Sequence, residues 1–163
     1  MPRPDYEQSS ECGRERHLNI PYSRLEDNSP ALHDPACVIG LPTGTQITGT
    51  VIDLDATDSI AIINHARGAV YRHYLRNVAT YDLTGQLHEE TWRVIEIGDE
   101  VYYDEESDFL NGIKLSFAPL ESDAATPNPL FGWVCMLQDE DAADFSKGAG
   151  GSGSTHLVAI VQA

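Results

Sequence analysis

Two short runs near the end of the chain are apolar at every position, and they constrain the fold more than any other feature. They cover residues 130–137 and 157–161. Each has the length and the β-branched and aromatic content of a strand, whereas a strand with one face in water alternates apolar and polar residues. Both faces of these strands are therefore predicted to be covered. In a strand-rich chain this requires a closed barrel, a two-sheet sandwich, or a sheet whose outer face meets another subunit.

Other parts of the chain carry similar strand patterns bounded by turn residues. β-branched and aromatic residues dominate 94–104, where sheet formation is predicted to start. Three further strands are predicted to form a meander over 37–41, 46–54 and 59–64, with Gly49 at a bulge or bend. These patterns favour sheet structure over helical structure from residue 37 onward.

A hairpin is predicted within residues 101–117. Asn111 and Gly112 separate two strand-like runs there, and both residue types tolerate the positive φ of a tight hairpin turn. The predicted fold class is therefore all-β: a small β-barrel or sandwich with an extended N-terminal arm. A length of 163 residues suits one domain with a substantial core.

Residues 1–35 are predicted to form the arm, and residues 36–163 the β-rich domain. Five prolines in the arm remove backbone donors and favour extended conformations. Two alternatives remain open for it: a disordered tail, or a segment that docks by adding a strand to a sheet edge of a partner. The docking alternative assigns partner contacts to four apolar residues, Leu18, Ile20, Tyr22 and Leu25.

Residues 67–76 form a basic, aromatic segment in an acidic protein, and they are predicted to be a strand. Tyr and Arg dominate the residues that carry binding energy at protein interfaces. The segment therefore suggests contact with a partner protein, either a shell or another copy, through Tyr71, Arg72, Tyr74 and Arg76. The alternative is a half-buried strand whose arginines extend their charged ends into water.

The charge of the chain excludes some partners. It has 26 acidic and 10 basic residues, a formal net charge of −16. Like charge opposes direct binding to nucleic acid or to an anionic membrane surface. Between positions 96 and 144, acidic residues outnumber the single basic residue, Lys114, by thirteen to one, and this part is expected to face solvent.

No run approaches the ~18 apolar residues of a membrane span, and synthesis without signal-peptide export is expected.

No residue pattern indicates catalysis, a cofactor or a metal. The three cysteines are at unrelated spacings, and the six histidines are scattered. The Asp53-x-Asp55 spacing briefly resembles a calcium loop but lacks the Gly and the Glu that such a loop requires, so turn carboxylates are the better interpretation. A non-enzymatic protein without cofactors is therefore expected.

The C-terminal half resembles a known family of structural proteins. Four features occur in order over residues 94–163: Gly98-Asp99-x-Val101-Tyr102-Tyr103-Asp104, Leu130-Phe131-Gly132-Trp133-Val134, a Gly-rich loop, and Val158-x-Ile160-Val161. In this order they resemble the decoration, or cement, proteins on the heads of tailed bacteriophages.

The resemblance implies a structural protein of the virion. Such a protein would be made in the host cytoplasm, bind the capsid exterior as a trimer, and stabilise contacts between major capsid proteins. A host-binding or fibre-base module of the virion, or a tail-associated structural protein, is the alternative.

Overall fold

The fold is all-β throughout the part of the chain that the structure describes. This structure is a computed structural model that describes residues 15–42, 46–76, 95–105, 113–121, 123, 125–137 and 155–163. These residues contain nine strands in two antiparallel sheets, one of which is a curled half-barrel. The predicted all-β class is confirmed. Residues 1–14 of the predicted arm, the turn at 111–112 and the Gly-rich loop lie outside the described residues.

The described residues belong to two compact units. The first lies within residues 1–71 and includes 161–163, and the second lies within residues 72–160. Residues 15–35 of the predicted arm belong to the first unit.

The first unit contains a four-stranded antiparallel sheet with the strand order β1-β4-β3-β2. The consecutive pairing of β2, β3 and β4 confirms the predicted meander. β1 pairs with β4, with Leu18 opposite Ile63 and Ile20 opposite Ala61. Among the described strands, residues 17–21 therefore form an edge strand of their own chain's sheet. The strands are β1 (His17–Pro21), β2 (Pro35–Val38), β3 (Ile47–Asp55) and β4 (Ile60–Asn64).

Close approach of β3 and β4 explains the glycine in β3. A Cβ atom at Gly49 would lie 2.5 Å from the backbone oxygen of Asn64 and 2.7 Å from Cγ2 of Ile63. The interruption of the strand pairing occurs instead between Val51 and Asp53. Gly49 is therefore a site of close backbone contact, and the predicted bulge lies further along the strand.

The second sheet has the strand order β5-β9-β8-β6-β7. Pairing of Tyr103 with Leu115 confirms the predicted hairpin. β9 is buried on both faces at Val158, Ala159 and Ile160, as its apolar run predicts. β8 is covered less completely. The strands are β5 (Val70–Arg76), β6 (Glu100–Tyr103), β7 (Leu115–Ser116), β8 (Leu130–Leu137) and β9 (Thr155–Gln162); in β8, Trp133 and Cys135 are half-buried and Met136 is exposed.

The stretch predicted to start the sheet, 94–104, is only partly a strand. Residues 97–98 form a turn, and Gly98 has a φ of +96°, which a residue with a side chain rarely adopts. Strand β6 begins after this turn. The backbone N–H of Gly98 donates to the carbonyl of Val134, and the N–H of Val134 donates to the carbonyl of Asp99. These bonds attach the turn to β8.

Candidate protein-contact surface

Strand β5 exposes one of its two faces. Arg72 and Tyr74 are exposed, and the aromatic side chain of Tyr74 retains 57% of its accessible surface. His73 and Leu75, which alternate with them along the strand, are buried. This alternation follows from the period of two in a strand. Arg72 and Tyr74 are called the β5 surface below.

Packing on the inner side of β5 fixes the direction of its exposed side chains. The ring of His73 meets the ring of Phe131 edge to face, with the centroids 5.2 Å apart and the planes at 86°. Leu75 is fully buried. Since both anchors occupy the opposite face of the strand, Arg72 and Tyr74 are held outward.

β5 is also at an edge of its sheet among the described strands. The outer backbone groups of an edge strand are a template for pairing with another chain. Added to an exposed tyrosine and an arginine, they give this edge the chemistry of a protein contact. Nothing at the β5 surface resembles a catalytic arrangement.

The structure separates the four residues predicted from the basic segment. Arg72 and Tyr74 are exposed, but Tyr71 is half-buried, and its hydroxyl accepts a hydrogen bond of 2.7 Å from Nδ2 of Asn64. Arg76 is buried, with only 2% of its surface accessible. Arg72 and Tyr74 are thus the exposed members of the predicted set, and contact of the four residues with a partner stays a prediction.

The four residues predicted from the arm pack in the core of the first unit. Leu25 is buried among Ala36, Val38, Val51, Ala61 and Ile63. Leu18, Ile20 and Tyr22 are partly buried against the same cluster. Their apolar character thus contributes to the core of their own chain. Contact between these residues and a partner stays a prediction.

A buried polar cluster joins β6 to β7. Asp104 is fully buried, although its position in the acidic stretch predicts exposure to solvent. Its Oδ2 accepts a hydrogen bond of 2.7 Å from the hydroxyl of Ser116, which in turn accepts from the backbone N–H of Ala118 at 3.0 Å. These hydrogen bonds offset the cost of burying the polar groups. No spacing in the sequence distinguishes Asp104 from its exposed acidic neighbours.

A second buried polar cluster surrounds Gln162 in the first unit. Its Oε1 accepts a hydrogen bond of 2.7 Å from the hydroxyl of Thr50. Its Nε2 donates to the backbone oxygens of Asn64 and Ala66 at 3.1 and 3.0 Å. Gln162 thus ties the end of β9 to β3 and to the end of β4. The apolar run before it predicts a buried strand but gives no sign of this cluster.

The titratable side chains of the described residues do not form a metal-binding group. His17 lies 3.6 Å from Glu15 at the surface. Burial lowers the pKa of His65, and the charges of Arg16 and His17 lower it further. Over the described ranges, no group of three or more His, Cys, Asp or Glu residues could hold a metal ion.

The carboxylates near residue 55 stabilise a turn. Oδ1 of Asp55 accepts hydrogen bonds from the backbone N–H groups of Thr57 and Asp58 at 3.1 and 3.2 Å. This is the turn chemistry predicted in place of a calcium loop.

Comparisons with models of protein families, with curated proteins and with solved structures give no match. Among the described residues, no helix has the length and apolar character needed to cross a membrane. The likeness to phage decoration proteins therefore depends on the sequence resemblance over residues 94–163.

Proposed function

We propose that the protein is a non-enzymatic decoration protein that binds the outer surface of a phage head and stabilises contacts between major capsid proteins. The sequence resemblance supports the family, and the all-β fold agrees with it. The observation that carries the proposal furthest is the β5 surface, an exposed tyrosine and arginine on a strand that lies at the edge of its sheet among the described strands of an acidic protein.

The chemistry of the β5 surface suits adhesion to a folded protein. Tyr74 offers a large, rigid and partly apolar area, and the guanidinium of Arg72 offers several hydrogen-bond donors in a fixed plane. The edge of β5 adds backbone donors and acceptors, which can pair with a strand of the capsid protein. Such a contact needs no deep cleft.

Binding across a joint between capsid subunits would stabilise the assembled head by mass action. A protein that binds the closed lattice better than separate subunits lowers the free energy of the lattice. Association of three copies would raise the effective concentration of each contact, so weak single contacts would suffice. In this proposal the exposed acidic residues Glu96, Glu100 and Glu105 face solvent and disfavour adhesion between particles.

The proposal is tested by replacing the β5 surface. A double variant, Arg72→Ala with Tyr74→Ala, is mixed with purified heads, and bound copies are counted after sedimentation. Loss of an arginine and a tyrosine from an interface is expected to weaken binding at least about tenfold, since a tenfold loss corresponds to about 1.4 kcal/mol and one interface hot spot contributes about 2 kcal/mol or more.

The matched control is Arg16→Ala, which removes one positive charge from an exposed residue outside β5. This variant is expected to bind as the unchanged protein does. Undiminished occupancy of the double variant would contradict the proposal for the β5 surface. Sparse occupancy of heads by the unchanged protein, together with binding of the isolated protein to host cells, would favour a host-binding module.

A further inference from the structure

The first unit contains an open groove between the short 3₁₀ helix Tyr22–Arg24 and the turn that joins β3 to β4. Its volume is about 500 Å³, within the range of roughly 300–1,000 Å³ that is common for ligand clefts. It is lined by Pro21, Tyr22, Ser23, Asn28, Asp58 and Ser59.

Hydrogen bonds and core packing hold both sides of the groove in place. The backbone N–H of Tyr22 donates to the carbonyl of Ser59 at 2.9 Å, which joins the two sides. The side chain of Asp55 fixes the turn by accepting from the N–H groups of Thr57 and Asp58. Tyr22 packs against the core cluster of the first unit. The groove is therefore preformed, which lowers the entropic cost of binding.

The polar side chains of the groove are available to a ligand. Within the described chain, none of four lining side chains forms a hydrogen bond or an ion pair with another residue: Ser23, Asn28, Asp58 and Ser59. Together they provide hydroxyl groups that donate and accept, an amide that does both, and a carboxylate that accepts. Such a mixture matches neighbouring hydroxyl groups on one ligand.

The charge of the groove disfavours anionic ligands. Asp58 is its only charged residue, and none of the six lining residues is basic. The net charge of −16 also opposes the approach of an anion. An uncharged ligand with many hydroxyl groups satisfies the same side chains without this repulsion.

We propose that this groove binds a neutral saccharide. Hydroxyl groups of the sugar would pair with Asp58, Asn28 and the two serines, and the anchored Tyr22 would offer an aromatic surface to the apolar side of the sugar ring. Binding by a single open groove is weak, because few groups are desolvated. Several copies on one particle would raise the avidity, but the proposal stands whether or not the protein binds a capsid.

Amide NMR spectra of the free, full-length protein test the proposal. The probes are maltotriose, triacetylchitotriose and methyl β-galactoside, with sialyllactose as an anionic probe of similar size. At least one neutral probe is expected to cause saturable shifts at the amides of Tyr22, Ser23, Asn28, Asp58 and Ser59. Sialyllactose is expected to cause none.

Two variants with a matched control locate the binding site. Asp58→Ala and Asn28→Ala are each expected to raise the fitted Kd at least about fivefold, because each removes hydrogen bonds to the ligand. Asp53→Ala removes an exposed carboxylate from β3 outside the groove and is expected to leave the Kd unchanged. Absence of saturable shifts with every neutral probe, or equal Kd values for all three variants, would overturn the proposal. Neither result bears on the capsid proposal, because no heads are present.

Discussion

At the scale of single residues, the buried side chain of Gln162 forms three hydrogen bonds. Its side chain bonds to three groups on β3, β4 and the segment after β4 while retaining only 2% of its surface. Gln162→Leu removes all three bonds inside the protein. We expect the free energy of unfolding to fall by about 2–4 kcal/mol, measured by urea denaturation.

The control for this prediction is Gln46→Leu, the same change at an exposed position before β3. It is expected to alter the free energy of unfolding by less than about 0.5 kcal/mol. Equal denaturation midpoints for the two variants would mean that the cluster around Gln162 does not stabilise the protein.

Gly49 and Gly98 are required for different physical reasons, so alanine at the two positions has different costs. At Gly49 a Cβ would overlap the backbone of β4, and such overpacking costs about 2–3 kcal/mol. At Gly98 no atom lies within 4 Å of the added Cβ, and only the positive φ opposes alanine, at about 1 kcal/mol. Urea denaturation should show a larger loss in the free energy of unfolding for Gly49→Ala than for Gly98→Ala. The reverse order would contradict the close approach of β3 and β4.

Tyr102 has an altered titration because of burial and a neighbouring carboxylate. Burial, the hydrogen bond to Glu100 and the negative charge of Glu100 raise the pKa of Tyr102 from 10.0 to about 12. Glu100→Gln should therefore lower this pKa toward 10 while leaving the effect of burial. The measurement is an absorbance titration, with Tyr102 identified by difference from Tyr102→Phe.

The raised pKa also fixes the sign of a pH effect on stability. The unfolded chain loses the Tyr102 proton near pH 10, and the folded chain retains it to about pH 12. The raised pKa therefore contributes fully to the free energy of unfolding below pH 10. This contribution decreases as the pH rises from about 10 to about 12. Glu96→Gln is the control, since Glu96 is exposed and is not among the causes of the shift; an equal response to both substitutions would contradict this assignment.

At the scale of elements, β1 is expected to stabilise the first unit through its apolar side chains. Leu18 and Ile20 are partly buried against the core, and both are paired with β4. Replacing both with serine should lower the free energy of unfolding by about 2 kcal/mol, measured by urea denaturation. Asn19→Ser, on the exposed face of the same strand, should change little. Equal stability of the two variants would show that β1 does not depend on this core.

The strands whose signals are local are those that the sequence predicts well. The apolar run of β9 predicts a strand covered on both faces, and the strand-like runs on either side of residues 111–112 predict that β6 pairs with β7. The docking of β1 on β4 has no local signal, because the paired residues lie about forty or more positions apart and the pairing uses backbone groups. The β-branched residues at the beginning of the 94–104 stretch predict a strand and obscure the turn at Gly98.

The β5 surface shows the same limit for side chains. Alternation places Arg72, Tyr74 and Arg76 on one face, yet Arg76 is buried. Its burial depends on what packs around the end of the strand, which the residues of β5 do not encode. Composition therefore predicts β5 as a contact candidate, whereas only the structure distinguishes its exposed residues from its buried ones.

At the scale of the whole molecule, the capsid proposal predicts that binding stabilises heads. Heads mixed with increasing protein should melt at a rising temperature that levels off as sites fill. The gain follows RT ln(1 + [L]/Kd) for each site, about 2.7 kcal/mol when the free protein is at 100 times its Kd. The measurement is differential scanning calorimetry of heads at several protein concentrations.

Light scattering of the free protein is expected to give the mass of a trimer.

The double variant of the β5 surface gives the decisive comparison. The formal charge of the variant differs from that of the unchanged protein by one unit. A nonspecific effect of protein charge on the melting temperature of the heads would therefore be nearly the same for both proteins. If adhesion through β5 stabilises the lattice, the variant should require at least about tenfold more protein for the same rise in melting temperature. Heads that are fully occupied by the unchanged protein but melt at the temperature of bare heads would contradict the stabilising role, because a ligand that favours the closed lattice must raise its stability.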